Sequence, residues 1–236
     1  MTIGARLTPS DSPARAKVPW LDPGDQLTRD EFERRFDATP GLKKAELIEG
    51  VVYMPPAVRW DLHSSPHFHL ITWLGTYQAN TPGVLGSDNG SVRIDPKNEP
   101  QPDAALLIDP SRGGQTSHSV DDYIEGAPEF VAEVSGSTAS IDLNAKLRVY
   151  RVNGVGEYLV WRIYDGVIDW FALKDGQYEL LPVHPDGTLR SEIFPGLWLD
   201  HAAMIKGDSA TVLRVLQEGL KAPEHAAFVA KLQSAK

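Results

Sequence analysis

Apolar residues recur along this chain at two spacings, every second residue and every third or fourth, and stretches of the two kinds follow one another from end to end. Thr28-Arg29-Asp30-Glu31 has the form of a capping box and predicts a short helix that turns Phe32 and Phe36 toward the core. Lys44 to Met54 (KAELIEGVVYM) reads as two short strands turned at Glu49-Gly50. Pro66 suits the first turn of a helix carrying Leu70, Ile71, Leu74 and Tyr77, which Thr81-Pro82-Gly83 ends. Asn89-Gly90 predicts a two-residue hairpin. Ala104 to Ile108 (AALLI) and Phe130 to Ser135 (FVAEVS) read as strands, separated by a long loop. A helix is expected from about Ile141 to Arg151, ended by Asn153-Gly154. The runs EYLVWRIY, VIDWFALK and QYELLPV, punctuated by Asp165-Gly166 and Asp175-Gly176, predict an antiparallel meander in the second half. Helix returns from about Ser209, with a second stripe of Ala226, Phe228, Val229 and Leu232.

This alternation within 236 residues fits one α/β or α+β domain with tails. Residues 1–26 are rich in Pro, Ser, Asp and Gly and are expected to be a loose lead-in, 27–205 the domain, and 206–236 a helical extension. With 42% hydrophobic and 23% charged residues, wholesale disorder, a collagen-like chain and a membrane bundle are excluded. The longest stretch without Asp, Glu, Lys or Arg, Leu62 to Ser87, carries Pro66, Pro82 and three histidines, which disqualify it as a bilayer span. No apolar signal-peptide run opens the sequence and it contains no cysteine, so a cytoplasmic location is expected. A net charge of −9 advertises no polyanion partner, so any nucleic-acid site needs a local patch or a bound metal.

Two acidic residues stand where apolar strands make them expensive. Asp103 heads AALLI and Glu133 interrupts FVAEVS, 30 residues later. A carboxylate buried in a sheet costs several kcal/mol unless a cation or hydrogen-bond donors compensate it. Strand alternation puts Glu133 and Ser135 on one face, opposite Phe130, Ala132 and Val134. Lys146, 13 residues beyond Glu133, lies on the helix that returns over this strand and can bring a cation back. Hard oxygen ligands suit Mg²⁺, and a nearby lysine can orient a hydrolytic water. The residues alone also allow a blander arrangement, with Asp103 a turn residue after Pro102 and Lys146 paired with Asp142 on a solvated face.

Glu46-Leu-Ile-Glu-Gly50, Gln101-Pro-Asp103, Glu133-Val-Ser135 with Ser137-Thr138, and Lys146-Leu-Arg-Val-Tyr150 leading to Gly154-Val-Gly-Glu-Tyr158 resemble the Uma-type family of restriction endonucleases, within the PD-(D/E)XK nuclease superfamily. The resemblance runs from about Leu27 to about Leu199. It implies a restriction-endonuclease-like fold, with a central mixed sheet flanked by helices. It further implies Asp103, Glu133 and the Val134 carbonyl as metal ligands for Mg²⁺, or Mn²⁺, with Glu46 a third acidic member. Lys146 would stand in for the superfamily lysine, because Ser135 occupies the position two residues after the acid where that lysine usually sits. The implied activity is metal-dependent hydrolysis of nucleic acid, DNA ahead of RNA, with Arg148 and Arg151 offering phosphate contacts and a homodimer as the assembly.

His63, His67 and His69 raise a zinc alternative, but a helix starting near Pro66 leaves His63 outside it and the glutamate of an HExxH motif is absent. The resemblance implies instead a histidine lining the cleft, His63 or His67, and Trp161 and Trp170 read as core or interface. Two other classes remain open: a non-catalytic nucleic-acid-binding or assembly protein that keeps the nuclease fold, and a metal-dependent hydrolase of small phosphate esters. No G-x-S-x-G elbow, P-loop or dinucleotide fingerprint is present.

Overall fold

The computed structural model describes residues 18–55 and 57–235. In chain order the elements are α1 (Arg29–Ala38), β1 (Glu46–Ile48), β2 (Val51–Tyr53), α2 (Ser65–Ala79), β3 (Val84–Asp88), β4 (Val92–Arg93), β5 (Ala104–Ile108), β6 (Ser117–His118), β7 (Ile124–Glu125), β8 (Phe130–Ser135), α3 (Ala139–Ile141) and α4 (Leu147–Asn153). There follow β9 (Glu157–Arg162), β10 (Val167–Lys174), β11 (Gln177–Leu180), β12 (Thr188–Arg190), β13 (Trp198–Asp200), α5 (His201–Ile205), α6 (Ser209–Leu220) and α7 (Pro223–Ser234). Six strands form the central sheet in the order β11-β10-β9-β8-β5-β3. Only β8 and β9 run parallel, so the sheet is mixed, and β9, β10 and β11 make the expected meander.

Every residue of β8 is buried, because both faces of the sheet are covered. Phe130, Ala132 and Val134 pack with Trp73 and Tyr77 of α2 and Leu216 of α6. Val131 packs on the other face with Val149 and Tyr150 of α4. Helices therefore flank the sheet on both sides, as a strand at its centre requires. A smaller cluster of Phe32, Leu47 and Val52 joins α1 to the β1–β2 hairpin. Glu49 and Gly50, both at positive φ (53° and 76°), make the tight turn between those strands.

Several expectations need correction. The lead-in expected over 1–26 lies outside the described residues as far as residue 17; from 18 onward it is tied down, with Leu21 buried and its amide donating to Thr39 Oγ1. The capping box does not close: the Thr28 side chain caps nothing, and Glu31 is drawn instead to Arg34 and Arg35, at 2.6 and 2.7 Å. Two guanidinium partners outcompete one backbone amide for that carboxylate. Asn89 makes a left-handed turn (φ 54°) but no hairpin. β3 pairs with β5 and β4 with β7, because Val92 is needed in the second core cluster rather than beside β3. In α7 Leu232 is buried and Phe228 packs on the core, whereas Ala226 is exposed and His225 is buried in its place. The His225 ring reaches Thr81 Oγ1 at 3.0 Å and the Leu220 carbonyl at 3.0 Å, which explains its burial.

Glu157, at the start of β9, is fully buried, with no ion-pair partner among the described residues. Its two oxygens accept from the Glu192 and Ile193 amides, Ser191 Oγ and Trp170 Nε1, so it pins the loop before β13 onto the sheet. Burial raises its carboxyl to about 7, opposed by those donors. Since the native state then holds a proton that the unfolded chain releases near 4.5, the contribution of Glu157 to stability is full below that value and declines as pH rises through about 7. Glu157→Ala is expected to cost about 3 kcal/mol by leaving buried donors unpaired. The gap between the two proteins should be wider at pH 5 than at pH 8 in urea titrations.

Candidate active site

The antiparallel pairing of β5 and β8 sets Ala104 opposite Ala132, and so brings Asp103 and Glu133 to one end of neighbouring strands. Asp103 Oδ2 accepts from the Val134 amide at 2.8 Å, which fixes its carboxylate against β8. Glu133 points to the opposite side of β8 from Val134, as the strand period demands, into a buried polar cluster.

At the centre of that cluster lies the Lys146 ammonium, 2.8 Å from Glu46 Oε1, 2.9 Å from Glu133 Oε1 and 3.8 Å from Asp142 Oδ1. Lys146 is only 4% exposed and Asp142 2%. The expected i, i+4 pair of Asp142 and Lys146 exists, but it faces the sheet rather than solvent, and its geometry is poorer than that to the two glutamates. The cause is local: α3 and α4 are joined by a wide π turn, Asp142–Lys146, that rotates both side chains inward. The same Oε1 atoms of Glu46 and Glu133, and the second oxygen of Asp142, accept further bonds. Glu46 accepts from the Gln101 amide at 2.7 Å, Glu133 from the Tyr150 hydroxyl at 3.1 Å, and Asp142 from Ser135 Oγ and Thr138 Oγ1 at 2.5 and 2.6 Å.

Burial, reinforced by Asp103, Asp142 and Glu46, pushes the Glu133 carboxyl well above its ordinary value against the pull of Lys146. Asp142 is raised by burial in the same way. Burial alone would lower Lys146, but Glu133, Glu46 and Asp142 together carry it well above the usual lysine range. Lys146 is therefore a cation at neutral pH and no general base in this state.

A second wide turn, Trp60–Ser64, precedes α2 and brings His63 to the cleft. The helical stretch thus begins before Pro66, and His63 lies within it. Gly136 permits the approach, since a Cβ there would stand 2.7 Å from the Leu62 carbonyl. His63 Nδ1 donates to the Val134 carbonyl (3.2 Å), while Nε2 lies 3.5 Å from Asp103 Oδ1. His67, stacked on His63, donates from Nε2 to the Asp103 carbonyl at 2.9 Å. His69 turns away to Ser209 Oγ at 2.6 Å. The three imidazoles do not converge, which removes the zinc alternative's geometry.

The structure therefore brings together Glu46, Asp103, Glu133 and Lys146. It adds Tyr150, places His63, expected at the cleft, beside Asp103, and puts Asp142, expected to pair with Lys146, inside the cluster. Lys44, with Nζ 4.0 Å from Asp103 Oδ1, carried no local signal. Arg148 and Arg151 are committed elsewhere, to Glu49 at 2.9 Å and to the Gly176 carbonyl at 2.8 Å. Trp161 and Trp170 are core residues.

Among the described residues no three His, Asp or Glu side chains form a ready metal cage. The donor chemistry nonetheless fits a hard divalent cation. Four carboxylates (Glu46, Asp103, Glu133 and Asp142) are nine-tenths or more buried, three of them around the Lys146 ammonium and Asp103 beside Lys44 and His63. Mg²⁺ requires only one or two carboxylates, keeping its remaining places for water and phosphate oxygens.

The site thus lies on a mixed sheet flanked by helices, with Asp103 and Glu133 on adjacent strands and Lys146 facing Glu133 from the turn between α3 and α4. A family model described as Uma2, putative restriction endonuclease, matches residues 29–202, and the chain belongs to that family. Among solved structures it is similar to a putative nuclease of the DUF820 group from Anabaena variabilis, with a TM-score of 0.57 and 14% identity, over 76% of this chain and 99% of the other. No curated protein matches it. No helix among the described residues is long and apolar enough to cross a membrane.

Replacing Lys146 with Met should destabilise the fold by about 3–5 kcal/mol at pH 8, because Glu46, Glu133 and Asp142 lose their buried cation. The loss should shrink at pH 5, where these carboxyls can take up protons, as chemical denaturation at the two pH values would report.

Proposed function

We propose that this protein is a metal-dependent endonuclease, hydrolysing phosphodiester bonds of DNA in preference to RNA, with Mg²⁺ or Mn²⁺ as its metal. The observation that carries the reading is the meeting of Asp103 and Glu133 on adjacent strands, with Lys146 facing Glu133 from the turn between α3 and α4. The family description adds support for a nucleic-acid substrate. Asp103, Glu133 and the Val134 carbonyl would hold the metal, and a bound divalent cation would supply charge neutralisation at the scissile phosphate and acidify water.

The protein's own groups divide the remaining work. The Val134 amide holds the Asp103 carboxylate in one orientation, leaving Oδ1 toward His63 and Lys44. The Tyr150 hydroxyl and Lys146 hold Glu133 from the helix side. Lys146, a fixed cation, orients the acidic pair and offsets negative charge that grows on the phosphate. Glu46 shares that ammonium and positions it. His63 is placed to exchange a proton at the open side of Asp103.

A second reading, a non-catalytic nucleic-acid-binding relative, is favoured by one feature: Lys146 is sealed against Glu46 and Glu133 instead of reaching solvent. Purified protein incubated with supercoiled plasmid, linear duplex, single-stranded DNA and RNA, in Mg²⁺, Mn²⁺ or EDTA, separates the two. Cleavage should require metal, be faster on DNA, and fall by at least about a hundredfold in Asp103→Ala and in Glu133→Ala. Calorimetric Mn²⁺ binding should be lost in both variants. Folded protein that neither cleaves any substrate nor binds Mn²⁺ would establish the second reading.

A further inference from the structure

On the far side of the β1–β2 hairpin from Lys146, a cavity of about 270 Å³ opens between α1, β4 and the segment leading into β7. Phe32, Phe36 and Ala45 make its apolar wall, Asp37 and Asp121 stand at its exposed rim, and Glu99 lies at its floor. Glu99 is 5% exposed, and its Oε2 is buried without a hydrogen-bond partner among the described residues. Its backbone is held rigidly, since Glu99 and Leu47 exchange both amide-to-carbonyl bonds, at 2.8 and 3.1 Å.

The charge around the cavity is unbalanced. Arg93 is already committed, with two bonds to Glu33 (2.8 and 3.2 Å), two to Asp121 (2.8 and 2.7 Å), and its guanidinium over the Tyr123 ring at 3.9 Å. Arg93 also lies 3.9 Å from Glu125, and Arg29 Nε lies 3.4 Å from Glu33 Oε1. Glu99 and Asp37 are left without an ion-pair partner among the described residues. A buried carboxyl oxygen beneath an aromatic wall is the complement of a cation on a short aliphatic stem. Arg93 already occupies the position a planar guanidinium would take, so the single open oxygen suits the compact, three-donor ammonium.

We propose that this cavity binds a small aliphatic ammonium group, seated on Glu99 with its alkyl stem against Phe32 and Phe36. The site is separate from the Asp103–Glu133 centre and does not depend on the protein being a nuclease. Burial, then a hydrogen bond shared with the Glu33 carboxylate and that carboxylate's charge, raises the Glu99 carboxyl to about 8, while Arg93 and Arg29 oppose that rise. At pH 7 Glu99 therefore carries that shared proton, whose place an arriving ammonium takes.

Calorimetry with n-butylammonium, and with Nα-acetyl-lysine methylamide, tests the site in the full chain at pH 7 in phosphate and in Tris. The expected result is saturable binding with release of close to one proton per site, seen as a buffer-dependent heat. Stronger binding of butylammonium assigns the site to free amines, and stronger binding of the lysine derivative assigns it to a protein side chain; both support ammonium recognition. Glu99→Gln should weaken binding by at least about tenfold and abolish proton release. The rim variant Asp37→Asn, whose exposed position spares the fold, should weaken binding about twofold and keep the proton release. Equal binding of n-butanol would reduce the cavity to an apolar hole. Absence of butylammonium and lysine-derivative binding would leave Glu99 and Glu33 a proton-sharing carboxyl pair with no ligand, and either outcome overturns the proposal.

Discussion

The arrangement depends on one buried ammonium. Lys146 is enclosed by Glu46, Glu133 and Asp142, which come from a hairpin, the central sheet and a helical turn respectively. None of these carboxylates could remain charged at that depth without it, and the ammonium could not remain charged without them. The cluster therefore ties three separately folded pieces to a common point. Because Asp103 is bonded to the strand that carries Glu133, the outer half of the site inherits its position from this inner half.

Buried carboxylates do two kinds of work in this protein, distinguished by what faces them. Glu157 meets only donors, and Glu129 accepts from the Ile108 and Gln115 amides, so both fasten loops to the sheet. Such a carboxylate is fully satisfied and has nothing left to offer a ligand. Glu133 faces a cation and three other acids, and Glu99 faces another acid with one oxygen unpartnered. An ionisable group left incompletely paired inside a protein is costly, and it persists where a ligand can relieve it. By that criterion the Asp103–Glu133 centre and the Glu99 cavity stand apart from the structural acids.

Local distortion also gathers at the centre. The two wide helical turns, Trp60–Ser64 and Asp142–Lys146, deliver His63 and the Asp142–Lys146 pair to the same end of β8. An unbroken α-helix would carry those side chains round to another face. Gly136, next to Ser135, supplies the clearance that the first of these turns needs.

The chain's own pattern determined the order of its elements, the meander, the hairpin at Glu49-Gly50, and the strand with an acid at its centre. These are local properties: a period of two or of about 3.6 can be read within ten residues, and FVAEVS exposes Glu133 as an exception to its neighbours. Family motifs carried the choice of Glu46, since nothing in its immediate neighbourhood singles it out, whereas Asp103 was marked by its place at the head of AALLI and Lys146 by its spacing from Glu133. Tertiary structure decided the rest. That Asn89-Gly90 turns between two sheets, that Asp142 and Lys146 face inward, and that His63 reaches Asp103 all rest on contacts between distant segments. Glu46 and Lys146 are 100 residues apart, and no local periodicity records a pairing at that separation, because its energy comes from burial that only the assembled layers create.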